Sequence, residues 1–139
     1  MAAVLPHPSL WPTAVDELLR RASPAKTMVR KAREDRRWFG ADVHAGDTVY
    51  LVLLAASNDP TVFVEPDRLD VGRQPNRHLT FGLGGPHFCL GAHLAKLEVK
   101  IWLEEMIPYL NRIELAAPPT RLRSNFFNGI KRLPVQVRS

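Results

Sequence analysis

The chain of 139 residues holds one cysteine, inside the string FGLGGPHFCLG at Phe81–Gly91. Glycines at 82, 84, 85 and 91 surround Cys89, and His87 lies two residues before it. Glycine lets a backbone take positive φ and come close to another group. A glycine-rich loop around one thiol suits a thiolate held for metal ligation, with nearby backbone N–H groups turned towards the sulfur. Two other chemistries use the same residue types. A lone cysteine in a soluble protein is usually a small buried hydrophobe. A thiol with a histidine base beside it can be a nucleophile. Two residues apart on a tight loop is poor geometry for a Cys–His pair, so a cysteine-dependent hydrolase using Cys89 and His87 ranks low.

Two further groups of charged residues stand out. Glu17 and Arg20 sit three apart in the string ELLR, which makes them neighbours on a helix surface. As an exposed pair they would contribute only about 0.5 kcal/mol. Later in the chain comes PDRL, Pro66–Leu69.

The elements that must position these residues can be read in order. Residues 1–11 read as loop. Residues 12–22 form a short helix, with Pro12 in its first turn, where the missing N–H does no harm. Val15, Leu18 and Ala22 share one face, with Leu19 beside them, and Pro24 stops the helix. Residues 25–33 suit a strand. Arg36–Gly40 and Ala41–Asp47 suit strand and turn segments, with a turn signal at Ala45-Gly46-Asp47. Val49–Leu54 is a continuous apolar run that suits a buried strand, broken by Ser57-Asn58-Asp59-Pro60. Residues 65–80 have no sustained period and read as an ordered loop, because Phe63, Leu69, Val71 and Leu79 are spaced through and beside it. Residues 91–107 form a long helix with two apolar rows: Leu94, Leu97, Ile101, and Ala95, Val99, Trp102, Met106. This pattern predicts a helix buried on most sides. Cys89 falls just before its N-terminus, where partial positive charge favours a thiolate. Pro108 ends it. Residues 109–117 suit a strand, and Leu122–Val137 a hairpin around Asn128-Gly129.

Composition narrows the classes. The length fits one domain at most. A hydrophobic fraction of 45% and a charged fraction of 24% are those of a globular protein. The net charge of +5 favours an acidic partner or surface, but no nucleic-acid-binding motif accompanies it. One cysteine excludes an intramolecular disulfide and fits a reducing, cytoplasmic compartment. The start MAAVLPHPSLWP does not have the form of a signal peptide. The longest apolar run is too short to span a bilayer.

Taken together, Phe81, Gly82, Gly84, His87, Cys89 and Gly91 resemble the haem-ligand signature of the cytochrome P-450 family. The ELLR helix, the PDRL segment and FGLGGPHFCLGAHLAKLE follow in that family's order, from about Leu10 to Val137. The resemblance implies a mixed α and β fold: the C-terminal segment of the cytochrome P-450 fold as a single partial domain over 1–139. Its parts would be a short ExxR helix, a small β-sheet, a meander loop, the cysteine-ligand loop, a long buried helix and a C-terminal β-hairpin. It implies haem b as cofactor, with Cys89 as the proximal thiolate ligand of iron. Thiolate ligation pushes electron density onto the iron and favours O–O cleavage. His87 and Arg30 would pair with the haem propionates, Arg30 by the bidentate contact a guanidinium offers a carboxylate. Phe81 would pack beside the loop, and Phe81 and Gly91 would join Arg30, His87 and Cys89 as haem-binding residues. Glu17, Arg20 and Arg68 would form the family's buried Glu-Arg-Arg network. Losing one member would then cost several kcal/mol, because a charge is left unpaired (about 3–5). Met28 and Val29, within Lys26–Val29, and Phe127, within Phe126–Ile130, would face substrate.

Four departures qualify this. The stretch Gly84-Gly85-Pro86-His87 carries one residue more than the commoner string. With the tail RLRSNFFNGIKRLPV, that looks like the actinobacterial branch that oxidises branched lipids and sterol side chains. Lys26 and Leu69 stand where uncharged and phenylalanine residues are usual. The family's N-terminal part and oxygen-activating distal helix are not in the sequence. The implied function is therefore the haem-binding segment of a bacterial monooxygenase. Its parent would hydroxylate an apolar lipid- or sterol-like substrate with O₂ and electrons from an acidic redox partner such as a ferredoxin. Arg77, Lys96 and Lys100 are candidate contacts for that partner. The alternative is a truncated, non-catalytic remnant without haem. On either reading, the apolar rows of the long helix should be surfaces that other parts would cover.

Overall fold

Pro12 and its neighbours start helix α1 at Trp11–Ala22 in the computed structural model, which describes residues 7–138. Residues 1–6 of the expected N-terminal loop lie outside the described part, and Pro8–Leu10 form a 3₁₀ turn. The Thr13 hydroxyl donates to the Leu10 carbonyl at 2.9 Å. At the other end Ser23 takes a left-handed conformation, its N–H donating to Leu19 and its hydroxyl to Arg20. Left-handed residues commonly close helices. The inward face of α1 is centred on Ala14, Val15 and Leu19. Leu18 is only partly buried and Ala22 is exposed, so that face is rotated from the expected one.

Met28–Lys31 forms β1, Arg36–Trp38 β2, Ala41–Val43 β3 and Thr48–Leu51 β4. β1 and β4 pair antiparallel, with Met28 opposite Leu51 and Arg30 opposite Val49. β2 and β3 form a tight hairpin whose two linking residues, Phe39 and Gly40, both have positive φ, the requirement of a type I′ turn. The apolar run Val49–Leu54 is not one buried strand. It leaves β4 after Leu51, with Tyr50 63% exposed, and continues as a single helical turn, α2, at Leu53–Ala56. The Leu54 N–H donates to the Lys26 carbonyl at the bend. A short apolar run does not by itself distinguish helix from strand.

Residues 57–91 carry no regular element, yet Phe63 and Val71 are buried, so the expected ordered loop is present. Helix α3 spans Ala92–Met106. Pro108 does not stop the chain from coiling: a 3₁₀ segment covers Ile107–Arg112 before β5 at Ile113–Leu115. β6 at Thr120–Arg121 pairs with β7 at Ile130–Arg132, and β8 at Val135–Val137 crosses to β5. Asn128-Gly129 is therefore not a hairpin tip. The loop between β6 and β7 is long, and Asn128 is drawn away to the α1 end, donating to Pro24 from its amide and to Ala22 from its side chain.

The core is small: Ala14, Val15, Leu19, Val71 and Leu103, flanked by Leu18, Phe81, Val99, Ile107 and Leu110. It lies where α1 crosses α3. Only Ala92 and Leu103 of α3 are buried. Leu94, Leu97 and Ile101 are 60%, 50% and 47% exposed, so the expected burial on most sides does not hold among the described residues.

Candidate functional site

Cys89 is exposed and held by its backbone. Its N–H donates to the Phe81 carbonyl at 3.0 Å, and its own carbonyl accepts from Ala92, the first residue of α3. Gly82, Gly84 and Gly85 all have positive φ, so the loop follows a path that side chains would strain. The thiol thus ends a tight loop immediately before the positive end of a fifteen-residue helix.

A cleft of about 570 Å³ opens at this loop. Cys89, His87, Phe81 and Gly84 line one side, and Met28, Arg30, Leu51, Leu53 and Phe127 the other. The pleat explains two of these: Met28 and Arg30 point to the same face of β1. Val29 points to the opposite face, is 46% exposed and does not line the cleft, contrary to expectation. Gly91 does not line it either. It caps α3, and a Cβ added there would meet the Cys89 sulfur at 3.9 Å, an ordinary contact. Arg30 donates to the Val29 carbonyl at 2.9 Å, and a guanidinium carries five N–H donors. A larger hollow of about 720 Å³ lies beyond Arg30, against β2 and β3, but has no thiol in its lining.

The two expected edges of the cleft form one unit. Ala25 and Phe127 make a β-bridge. Lys26 donates from its amide to Phe126 and from its ammonium to the Ser124 carbonyl, and Thr27 donates to Asn125. Lys26 is therefore a strut behind the cleft wall and not part of its lining.

Below the loop lies a buried charge network. Glu17 and Arg20 are fully buried and joined by two hydrogen bonds of 2.8 and 2.9 Å. Glu17 also accepts from the Asp70 amide, from Asn76 and from Arg73. Arg20 donates to the Ser57 and Pro66 carbonyls and lies over the Phe63 ring. Burial raises the Glu17 pKa, but the hydrogen bonds from Arg20 and Asp70 and the charge of Arg20 outweigh it and hold the group below its ordinary value. The third member is Arg73, not Arg68. Arg68 pairs at the surface with Glu65, three residues before it, at 3.0 Å. Arg73 instead reaches Glu17 at 3.2 Å and ties the loop carbonyls of Val64, Glu65 and Arg68. No spacing in the sequence separates these two arginines.

One cluster escaped the sequence reading. His78, nearly buried, faces Asp16 of α1, whose carboxylate also holds Lys96 of α3 at 2.7 Å.

Among the described residues, no group of three or more His, Cys, Asp or Glu could hold a bare metal ion. The donor set fits an ion that brings its other ligands with it: one thiol, a guanidinium, an imidazole and apolar walls on one cleft. No described helix is long and apolar enough to cross a membrane.

Comparison with known proteins agrees with this geometry. The family model for cytochrome P-450 matches residues 6–134. Cytochrome P-450-terp of a Pseudomonas species is 43% identical over 136 residues, 98% of this chain and 32% of that protein. A methyl-branched lipid omega-hydroxylase of Mycobacterium tuberculosis is 43% identical over 126 residues, 91% of this chain and 29% of that protein. The structure of a cytochrome P-450 of the Bacillus subtilis bacillaene polyketide synthase superposes with a TM-score of 0.91 at 37% identity, covering 99% of this chain and 36% of that one. The chain spans about a third of the length of the relatives it matches.

Proposed function

Because the chain belongs to the cytochrome P-450 family, we propose that Cys89 is its thiolate ligand to haem iron and that the cleft beside it is the proximal half of a monooxygenase site. The observation that carries this is the convergence of Cys89, His87 and Arg30 on one cleft with apolar walls. Haem b is the cofactor of the family, and when bound it supplies the activation of O₂ for insertion of one oxygen atom into a C–H bond.

The chain's own residues would do the following. Cys89 offers one sulfur, presented just before the start of α3. Arg30 and His87 offer N–H donors to the carboxylates of the macrocycle. Phe81 packs beside the loop and its carbonyl fixes the Cys89 amide. Met28, Leu53 and Phe127 present apolar surface and exclude water. Such walls suit a lipid- or sterol-like substrate, in keeping with the name of the mycobacterial relative. Electrons would come from an acidic redox partner such as a ferredoxin, in the reducing cytoplasm where a lone exposed thiol persists. Of the expected contacts, Lys96 and Lys100 already pair with Asp16 and Glu104, which leaves exposed Arg77 the stronger candidate.

The test is reconstitution of the 139-residue chain with haem, followed by reduction under CO. A red-shifted, thiolate-type Soret band is expected, and Cys89→Ala should abolish it. The same band in Cys89→Ala would overturn the ligand assignment. No haem uptake by the parent chain would favour a non-catalytic remnant.

A further inference from the structure

The His78 side chain is 6% exposed, and nothing in the proposed chemistry uses it. Its Nδ1 accepts the Thr80 N–H at 3.3 Å, so the ring proton belongs on Nε2, which faces Asp16 Oδ1 at 3.6 Å. Thr80 is fixed from behind, its hydroxyl donating to the Leu19 carbonyl at 3.1 Å. The next residue, Phe81, meets the His78 ring edge-on, with centroids 6.0 Å apart. The Phe81 carbonyl then takes the Cys89 N–H. A chain of contacts thus runs from α1 through His78, Thr80 and Phe81 to the Cys89 amide.

We propose that His78 is a positioning residue for the cysteine loop: its neutral imidazole holds Thr80 and Phe81, and through them the Cys89 backbone, and protonation releases them. A second ring proton would place an N–H on Nδ1, where it opposes the Thr80 N–H, and two donors cannot bond. The groups facing the ring do not offset this. Among the described residues the carboxylate facing the ring is Asp16, and it is shared with the Lys96 ammonium; Arg20, on the same helix, adds further positive charge. Burial and these cations hold the His78 pKa below 6.5 despite Asp16. The device therefore stays locked at neutral pH and opens in acid. Its functional meaning rests on the assignment of Cys89 as iron ligand, but its geometry does not.

The test is nitrogen-15 NMR of the full chain without haem, which separates it from the ligand assignment. The ring shifts should show the Nε2–H tautomer. The His78 ring and the Thr80 and Cys89 amides should titrate with one common midpoint below 6.5. His78→Asn places an amide oxygen where Nδ1 stood, so both amides should stay protected and their titration should vanish. His78→Phe keeps bulk without an acceptor, so both amides should exchange faster at every pH. If that variant does not fold, His78→Asn still decides. A Cys89 amide midpoint that persists in His78→Asn, or a neutral ring protonated on Nδ1, would overturn the proposal.

Discussion

Glu17 has no free acceptor capacity left: Arg20, Arg73, Asn76 and the Asp70 amide all donate to it. Removing Arg73 leaves a buried carboxylate short of a cation, whereas removing Arg68 exposes one surface carboxylate to water. Arg73→Met is therefore expected to destabilise the chain by roughly 3–5 kcal/mol, and Arg68→Ala by less than about 0.5 kcal/mol. Paired denaturant titrations check this, and equal losses would count against the assignment of Arg73. The Glu17–Arg20 pair was legible from its spacing because three residues on a helix are always neighbours. Arg73 was not, because its partner lies 56 positions away and only the folded path of the loop brings them together. Cys89, His87 and Phe81 were legible because glycines dictate a local path that needs no distant partner.

At the scale of elements, the bounds of α1 and α3 followed from proline and helical period, both local signals. Val49–Leu54 and the tail misled for the opposite reason. Their conformations are decided by long-range bonds, from Leu54 to Lys26 and from Asn128 to Pro24. Val29 was misplaced by one residue, which on a strand means the other face. The unit built from residues 22–28 and 124–128 carries a prediction of its own. Lys26→Met keeps the stem but loses the bond to Ser124. The loss should be about 1 kcal/mol, seen as several-fold faster amide exchange at Asn125–Phe127. Unchanged exchange there would show that the backbone bonds alone hold the loop.

For the molecule as a whole, two buried groups set its response to acid. Glu17 and His78 both have pKa values lowered on folding, so the unfolded chain binds more protons than the folded one, and stability rises with pH. The His78 contribution is complete above its ordinary value of 6.5 and is lost as pH falls through the lower folded value. The Glu17 contribution behaves likewise, beginning at 4.5. Denaturation midpoints should thus fall in two steps on acidification, and the first step should be missing in His78→Asn. The row Leu94, Leu97 and Ile101 also marks the whole surface, since a contiguous apolar row drives association. Leu97→Lys with Ile101→Lys should raise the concentration at which the chain stays monodisperse in light scattering.

The bonds between Lys26, Thr27 and Asn128 and their partners join positions 98 to 106 residues apart. Contacts of such sequence separation form late, since a long loop must close first. On the ribosome, α1 and the β1–β4 pair can form long before residue 128 has been made, but the part of the cleft wall that holds Phe127 cannot. The cysteine loop therefore emerges before Phe127 and its loop complete the far side of the cleft. The last step of maturation should be the docking of the 124–128 loop, making the pocket's assembly, and not the helix or the thiol loop, the slow event in refolding.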